Sequence, residues 1–492
     1  METRLSADGR ELHRQLLQDH LDLRAARERR LTVVTGADGR ERRAVEADHV
    51  RALASVFGTV TVTRCAYRAK GVGNLHPVDA VLNLPAEKHS HGLRALAAVE
   101  ATRGSYTEAA AAVQRAAGVA VGKRQLEALA AATAVDFEAF YAQRCPPAAE
   151  PGDVLVLSAD GKGVVMRPDA LRPATAKAAQ GATTKLATRL SKGEKRNRKR
   201  MAELAAVYDL TPLPRSPADI LPTDASTASR PAPAAKNKWL TASVVHDAAT
   251  VIAAAFTEAE RRDPAHARTW VALVDGNNHQ IERIHAEAKA RGVTVTILID
   301  FVHVLEYLWG AAWCFHAEGD PAAEAWVAGK ARAVLDGKAG IVAAAIRRTA
   351  TCRKLPRAAR AKADTAADYL HRKRRHLDYP AALRAGWPIA TGIIEGACRH
   401  IVCDRMALTG ARWGLPGAEA ILKLRAIRAN GEWAAYWRYP RPFMRRLVRS
   451  CLSVVVLDRV LGSVAGSLRF RLALPVGGSP GPGRGWAAGV RF

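Results

Sequence analysis

Asp153-Val-Leu-Val-Leu-Ser-Ala-Asp160-Gly-Lys-Gly-Val-Val165 follows a Pro-Gly linker, runs through an apolar segment and leaves through an aspartate and two glycines. An apolar run of this length, bounded by turn residues, predicts a strand buried on both faces. Asp160 at its end is then delivered to a sheet edge, where water and a metal ion can reach it. Two later stretches repeat the pattern. Thr269-Trp-Val-Ala-Leu-Val-Asp275-Gly276 and Val293-Thr-Val-Thr-Ile-Leu-Ile-Asp300 are again apolar runs ending in Asp. Between them Ile281, Ile284 and Ala288 recur at helical spacing. Residues 239–246 and 250–256 are two further strand-like runs, separated by Asp247-Ala-Ala, and read as a hairpin. Strand, hairpin, strand, helix, strand is an α/β pattern.

Upstream of this core, residues 1–90 read as an N-terminal α+β region. An Arg-rich helical stretch with a polar turn at Gly36-Ala-Asp-Gly39 fills it to about residue 55. Residues 58–67 then alternate like a half-exposed strand, with residues 78–84 as a candidate partner. Residues 91–146 are Ala-rich and helical. Ser105 and Glu108 form a capping-box start, Gly118 is a helix stop, and Lys123, Arg124 and Gln125 open a second helix. Helix, glycine turn, helix is the helix-turn-helix pattern, in which the second helix enters a DNA major groove; any αα-hairpin shares it.

The core spans 151–303, with a basic, Pro-rich insertion over 167–236 that includes Leu190-Ser-Lys-Gly-Glu-Lys-Arg-Asn-Arg-Lys-Arg200. Residues 304–386 read as an all-helical insertion, and 387–437 as C-terminal helices carrying Glu395 in a first turn and Arg399 one turn on. Residues 438–492 mix Arg-rich, Val-rich and Gly-Pro-rich patches, the composition of a disordered or frameshifted tail.

The chain has 492 residues, and its 74 Lys and Arg outnumber 47 Asp and Glu, a net charge of +27. Such an excess attracts a polyanion through counterion release, nucleic acid first among them. No apolar run approaches the ~20 residues of a spanning helix, and the first residues carry no apolar signal-peptide segment, so a cytoplasmic, nucleoid-associated protein is expected. The seven Cys contain no Cys-x-x-Cys pair, against a disulfide framework or a zinc site.

Asp160, Asp275 and Glu395 are the acidic residues that this arrangement brings forward. Two Mg²⁺ ions about 3.5–4 Å apart need a cluster of hard carboxylate oxygens. Two strand-end aspartates and a carboxylate from a packed helix supply one.

Asp160-Gly-Lys-Gly-Val-Val-Met-Arg-Pro168, Leu273-Val-Asp275-Gly276, Asp300-Phe-Val-His303, Trp387-Pro-Ile-Ala-Thr-Gly-Ile-Ile-Glu395-Gly, Asp404-Arg-Met406 and Gly410-Ala-Arg-Trp413 together resemble bacterial insertion-sequence transposases of the ISKra type, relatives of the Mutator-like DDE transposases. The resemblance runs from about residue 90 to Trp437. It implies an α/β ribonuclease-H-like catalytic domain with an all-α insertion before the final Glu, preceded by a mostly α-helical DNA-binding region. It implies Asp160, Asp275 and Glu395 as catalytic metal ligands for two Mg²⁺ (Mn²⁺ substituting), Asp300 being the alternative to Asp275 as the second aspartate, with Asp300 and His303 otherwise in support. The implied partners are double-stranded DNA, as transposon ends and target, and further copies of the chain, as a homodimer or higher oligomer. Lys123, Arg124, Lys162, Arg399, Arg405 and Arg412 are candidate phosphate contacts, since Arg forks match phosphate oxygens, with ion pairing to Glu395 or Asp404 the alternative for Arg399, Arg405 and Arg412; Trp413 is a candidate stacking partner for a flipped base or a core residue. The activity expected is strand cleavage and transfer. The alternatives are a decayed copy that only binds DNA and a metal-dependent nuclease that cleaves without joining.

Overall fold

The computed structural model describes residues 1–183, 188, 190–222 and 232–439. The tail from residue 440, and residues 184–187, 189 and 223–231 of the segment expected to be an insertion, lie outside them. The chain divides into two compact units.

The smaller unit comprises described residues 21–51 and 62–86. Strands β1 (Val34–Thr35) and β2 (Glu41–Arg42) pair antiparallel; β3 (Ala44–Ser55) and β4 (Gly58–Arg68) form a second two-stranded sheet, of which residues 44–51 and 62–68 fall in this unit. Strand β3 replaces the helix expected there. Residues 78–84 are not a strand either: Pro77–Val81 is a short helix with Pro at its start, where the missing N–H costs nothing. Tyr67 instead pairs with Leu75, its N–H donating to the Leu75 carbonyl at 2.8 Å. Val34, Cys65, Tyr67 and Leu75 make the local core.

At its polar side the imidazoles of His49 and His76 share a hydrogen bond of 3.0 Å, and Arg64 pairs with Asp79 at 2.7 Å. Burial, with the Arg64 charge adding to it, pushes the His76 imidazolium down to about 4. In an unfolded chain it titrates near 6.5. Between those values the unfolded state binds the extra proton, so the unit is expected to lose stability as pH falls from about 6.5 towards 4. Hydrogen-exchange protection of the Tyr67 and Leu75 amides should fall over that window, and His76→Gln should flatten the dependence.

The larger unit comprises residues 1–20, 52–61 and the described part of 87–445. Its centre is a five-stranded mixed sheet of β5 (Val154–Val165), β6 (Lys199–Leu210), β7 (Ala235–Ser243), β8 (Trp270–Val274) and β9 (Val295–Ile299), in the order β7-β6-β5-β8-β9. Strand β5 pairs antiparallel with β6 along its whole length, from Val154↔Leu210 to Val165↔Lys199. Strands β5, β8 and β9 run parallel. All five residues of β8 and the first half of β5 are buried, as parallel strands covered on both faces must be. The helix Ala248–Arg262 packs against β5 and β6, and Leu415–Ala429 against β7.

Two expectations are corrected here. The segment 167–236 is not wholly an insertion: it contributes β6, the strand beside β5, so residues 166–198 and 211–234 are the connections. Residues 250–256 are helix rather than the second strand of a hairpin. The Asp247 carboxylate accepts from the Thr250 N–H at 2.9 Å and starts the helix. Val251, Ile252, Ala255, Phe256 and Ala259 then face the core at helical period.

After β9 the chain is helical over Phe301–Ala312, Pro321–Leu335, Ala339–Cys352, Arg357–Lys373 and Tyr379–Arg384. Among the described residues no helix is long and apolar enough to cross a membrane.

Candidate active site

Strand register decides which acidic residues meet. Ser158 of β5 lies opposite Leu273 of β8, so two residues on Asp160 is level with Asp275. Val274 lies opposite Ile299 of β9, so Asp275 is level with Asp300. The Asp300 N–H donates to the Val274 carbonyl at 2.8 Å and holds that row together. The three aspartates thus stand in one row across three adjacent strands spaced about 4.8 Å apart. Asp275 and Asp300 follow the last residues of β8 and β9, whereas Asp160 lies within β5, which continues to Val165 rather than ending at the aspartate as expected, because β6 pairs with it over its whole length.

Each aspartate has a different local situation. Asp160 accepts from the Gly161 N–H at 2.6 Å and from the Cys398 thiol at 3.2 Å. Burial and the neighbouring Asp160 charge push the Cys398 thiol far up, so it remains a protonated donor. Asp275 is half-buried and accepts from the Asn277 N–H at 2.8 Å, and Tyr369 donates to its backbone carbonyl at 2.8 Å. Asp300 is 2% exposed. One of its oxygens caps Phe301–Ala312 by accepting from the Val302 N–H at 2.8 Å, and the other accepts from the Thr391 hydroxyl.

Glu395 arrives on the helix Gly392–Ala397, which packs against β5 and β6. Thr391 lies within reach of both carboxylates, its hydroxyl 3.2 Å from Glu395 Oε1. Burial, then the Asp300 charge beside it, pushes the Glu395 carboxyl up. Asp300 and Thr391 therefore set where the Glu395 carboxyl sits. Among the described residues, no three His, Cys, Asp or Glu side chains are gathered in a geometry that could hold a metal ion. The carboxylates share a sheet edge rather than a closed cage.

The donor chemistry suits a hard divalent cation. Asp160, Asp275 and Glu395 offer only carboxylate oxygens, and the raised Glu395 beside Asp300 is the like-charge crowding that a cation relieves.

Three residues at this edge carried no sequence signal. Glu203 on β6 lies opposite Gly161, and a Cβ at Gly161 would come within 3.1 Å of its carboxylate. Burial pushes the Glu203 carboxyl up, and Asp160 is among the charges around it. It was hidden in a stretch whose basic run reads as solvated surface. Thr391 and Tyr369 were equally silent. Tyr369 stacks on Tyr307 at 3.9 Å between ring centres and closes over Gly276. Gly276 has φ +94°, and a Cβ there would meet the Tyr369 hydroxyl at 2.6 Å. Gly276→Ala is therefore expected to cost about 1–3 kcal/mol through backbone strain, read as a lowered thermal midpoint, and to move Tyr369 off the Asp275 carbonyl.

His303 lies one turn from Asp300. It is 3.1 Å from Glu306 and faces the rings of Tyr307 and Tyr369. It lines a pocket of about 270 Å³ with Glu306, Tyr307, Gly310, Lys362 and Thr365.

The basic residues divide. Lys123 and Arg124 are exposed in the first turn of Lys123–Ala134. The preceding helix Tyr106–Ala117 starts in the Ser105/Glu108 capping box and ends at Gly118, φ +67°. Lys162, Arg399 and Arg412 are exposed. Arg405 and Trp413 are not: they are 2% and 5% exposed. The Arg405 guanidinium lies between the rings of Tyr106 and Trp413, 5.1 and 4.7 Å from their centres, and donates to the Ala101 carbonyl at 2.8 Å. The Trp413 indole donates to the Met406 carbonyl at 3.1 Å. Both side chains are thus packed within the chain, Trp413 in the core role that was the alternative to base stacking and Arg405 between two aromatic faces, where a desolvated guanidinium is well held.

No protein-family model matches this chain, and no curated protein matches its sequence.

Proposed function

We propose that this chain is a metal-dependent DNA strand-cleaving and strand-transferring enzyme of the DDE transposase type, built on a ribonuclease-H-like core. The observation that carries this reading is the row of Asp160, Asp275 and Asp300 on parallel strands, with Glu395 brought to it by a helix from beyond the helical segment. The net charge of +27 supports a polyanionic substrate.

Asp160, Asp275 and Glu395 are the residues that would hold the ions, two Mg²⁺ or Mn²⁺. Such a pair supplies activation of a water or a 3′-hydroxyl and stabilisation of the oxygen leaving phosphorus. The chain's own side chains do the positioning. Cys398 pins one oxygen of Asp160, and the Asn277 N–H pins one of Asp275. Asp300 and Thr391 orient Glu395. Lys162, exposed two residues beyond Asp160, can reach a flanking phosphate, and Lys123 and Arg124 present charge for transposon-end DNA.

The test is Mg²⁺-dependent cleavage and joining of DNA carrying the element's ends, with Asp160→Asn as the control. Cleavage and joining lost in that variant support the proposal. Cleavage without joining indicates a nuclease. Salt-sensitive binding with no cleavage in Mg²⁺ or Mn²⁺ indicates a decayed DNA-binding copy.

A further inference from the structure

A second feature lies along β5 from the acidic edge. A cleft of about 340 Å³ is walled by residues 163–165 of β5, by Arg198 and Lys199 where β6 begins, and by residues 402–403 and 406–412. Its cations are Arg198, Lys199 and Arg412, all exposed. No residue lining it is acidic, and among the described residues none of the three cations pairs with a carboxylate. Three like charges converging on one concavity repel one another unless an anion enters.

The cleft is built rather than incidental. The Met166 N–H donates to the Arg198 carbonyl at 2.9 Å, fixing one wall. On the other side of the same strand end, the Trp413 N–H donates to Val165 at 3.1 Å and the Arg167 N–H to Trp413 at 2.8 Å. Trp413 is buried beneath Arg405, so Arg412 is held by a fixed neighbour. The Lys199 stem lies over Gly163, where a Cβ would come within 2.9 Å of its Cδ. Cations on a fixed backbone lose less entropy on binding. The remaining wall is apolar, with half-buried Leu408 at its surface over the buried Val402 and Met406.

Charge at the rim and an apolar wall within one concavity match a single nucleic-acid strand better than a duplex. A single strand can splay a base against the wall while its phosphates meet the cations; a duplex keeps its bases stacked inside. Gly163 is three residues from Asp160, about 10 Å along the strand. We infer that this cleft holds a single DNA strand beside the acidic edge, its phosphates on Arg198, Lys199 and Arg412 and a base against Leu408. The inference rests on the reading that the chain acts on DNA, but it needs no catalysis.

Its test is therefore binding of the full chain to a fluorescent single strand of about 16 nucleotides, without divalent metal, across a salt series. The variant Arg198→Ala/Lys199→Ala/Arg412→Ala is compared with Lys289→Ala/Arg348→Ala/Arg357→Ala, which removes the same charge from exposed positions elsewhere. The cleft variant should lower the slope of log affinity against log salt by about 2, from three contacts worth about 0.7 each, and the control by much less. The single strand should also slow alkylation of Cys403, in the cleft wall, and leave exposed Cys352 unaffected. Equal slopes in the two variants, or an unprotected Cys403, overturn the cleft while leaving the DNA reading standing. A duplex of the same length that depends equally on the cleft overturns the single-strand assignment. A wild-type chain that binds no DNA at low salt overturns both readings.

Discussion

Asp275→Asn is expected to reduce Mg²⁺-dependent strand cleavage about 10³-fold or more, whereas Asp300→Asn should retain activity within about tenfold; an ion held at a phosphoryl centre is worth several kcal/mol, and each 1.36 kcal/mol is tenfold in rate. The two aspartates sit level on neighbouring strands, and their surroundings separate them. Asp300 is buried, with one oxygen capping Phe301–Ala312 and the other receiving Thr391. An asparagine keeps a carbonyl oxygen for the Val302 N–H, so the cap and the neighbourhood of Glu395 survive. Asp275 is more open, and the function proposed for it is charge, which an amide cannot supply. Asp300→Ala removes the cap and the Thr391 acceptor together. It should cost more than Asp300→Asn and raise the Mg²⁺ concentration needed for half-maximal rate, because Glu395 loses its orientation. Single-turnover cleavage over a Mg²⁺ series checks all three variants. Full activity in Asp275→Asn with loss in Asp300→Asn would exchange the two roles.

Asp209→Ala should destabilise the larger unit by about 3–5 kcal/mol, the usual cost of removing one partner from a buried ion network. Asp209 is fully buried at the end of β6. Its carboxylate accepts from Arg268 at 2.7 Å and from the Asn237 amide at 2.9 Å, and it lies 3.5 Å from Arg262. Arg262 also pairs with Glu258 at 2.9 Å, and Arg144 bridges Glu258 to Glu432 at 2.9 Å on the Glu432 side. Removing Asp209 leaves two guanidiniums desolvated without their shared anion. Asp209→Asn keeps the shape but not the charge and should recover only part of the loss. Urea denaturation followed by tryptophan fluorescence measures it, since Trp239 and Trp270 lie on the strands involved. A change below about 1 kcal/mol, the scale of an exposed pair, would show that water reaches this network.

The parallel half of the sheet was legible because strands buried on both faces must be apolar throughout. Strands β8 and β9 and the first half of β5 each stood out as such a run, and each run is followed by the aspartate that now lies in the row, although β5 itself continues past Asp160 to Val165. Strand β6 was hidden for the opposite reason. It opens with Lys199 and Arg200 and continues with Ala202, Ala205 and Ala206, residues of low strand preference, and becomes a strand because β5 offers a full-length antiparallel partner. In residues 250–256 the β-branched Thr250, Val251 and Ile252 suggested a strand, although Asp247 and the helical period of the apolar positions were present.

The sequence by itself determined where the acidic residues gather, since an apolar run and the aspartate that follows it are local facts; that β5 continues past Asp160 to Val165 was decided by its pairing with β6. It also determined that Glu395 follows a long helical stretch, and that the chain carries enough positive charge to seek a polyanion. Only the tertiary structure decided which of these side chains are available. Burial and partnership depend on residues distant along the chain: Thr391 and Glu395 meet Asp300, Cys398 meets Asp160, and Tyr106 and Trp413 enclose Arg405. The same physics turned Arg405 and Trp413 inward and left Arg198, Lys199 and Arg412 around one cleft, because a cation without a buried partner stays where water or a phosphate can reach it.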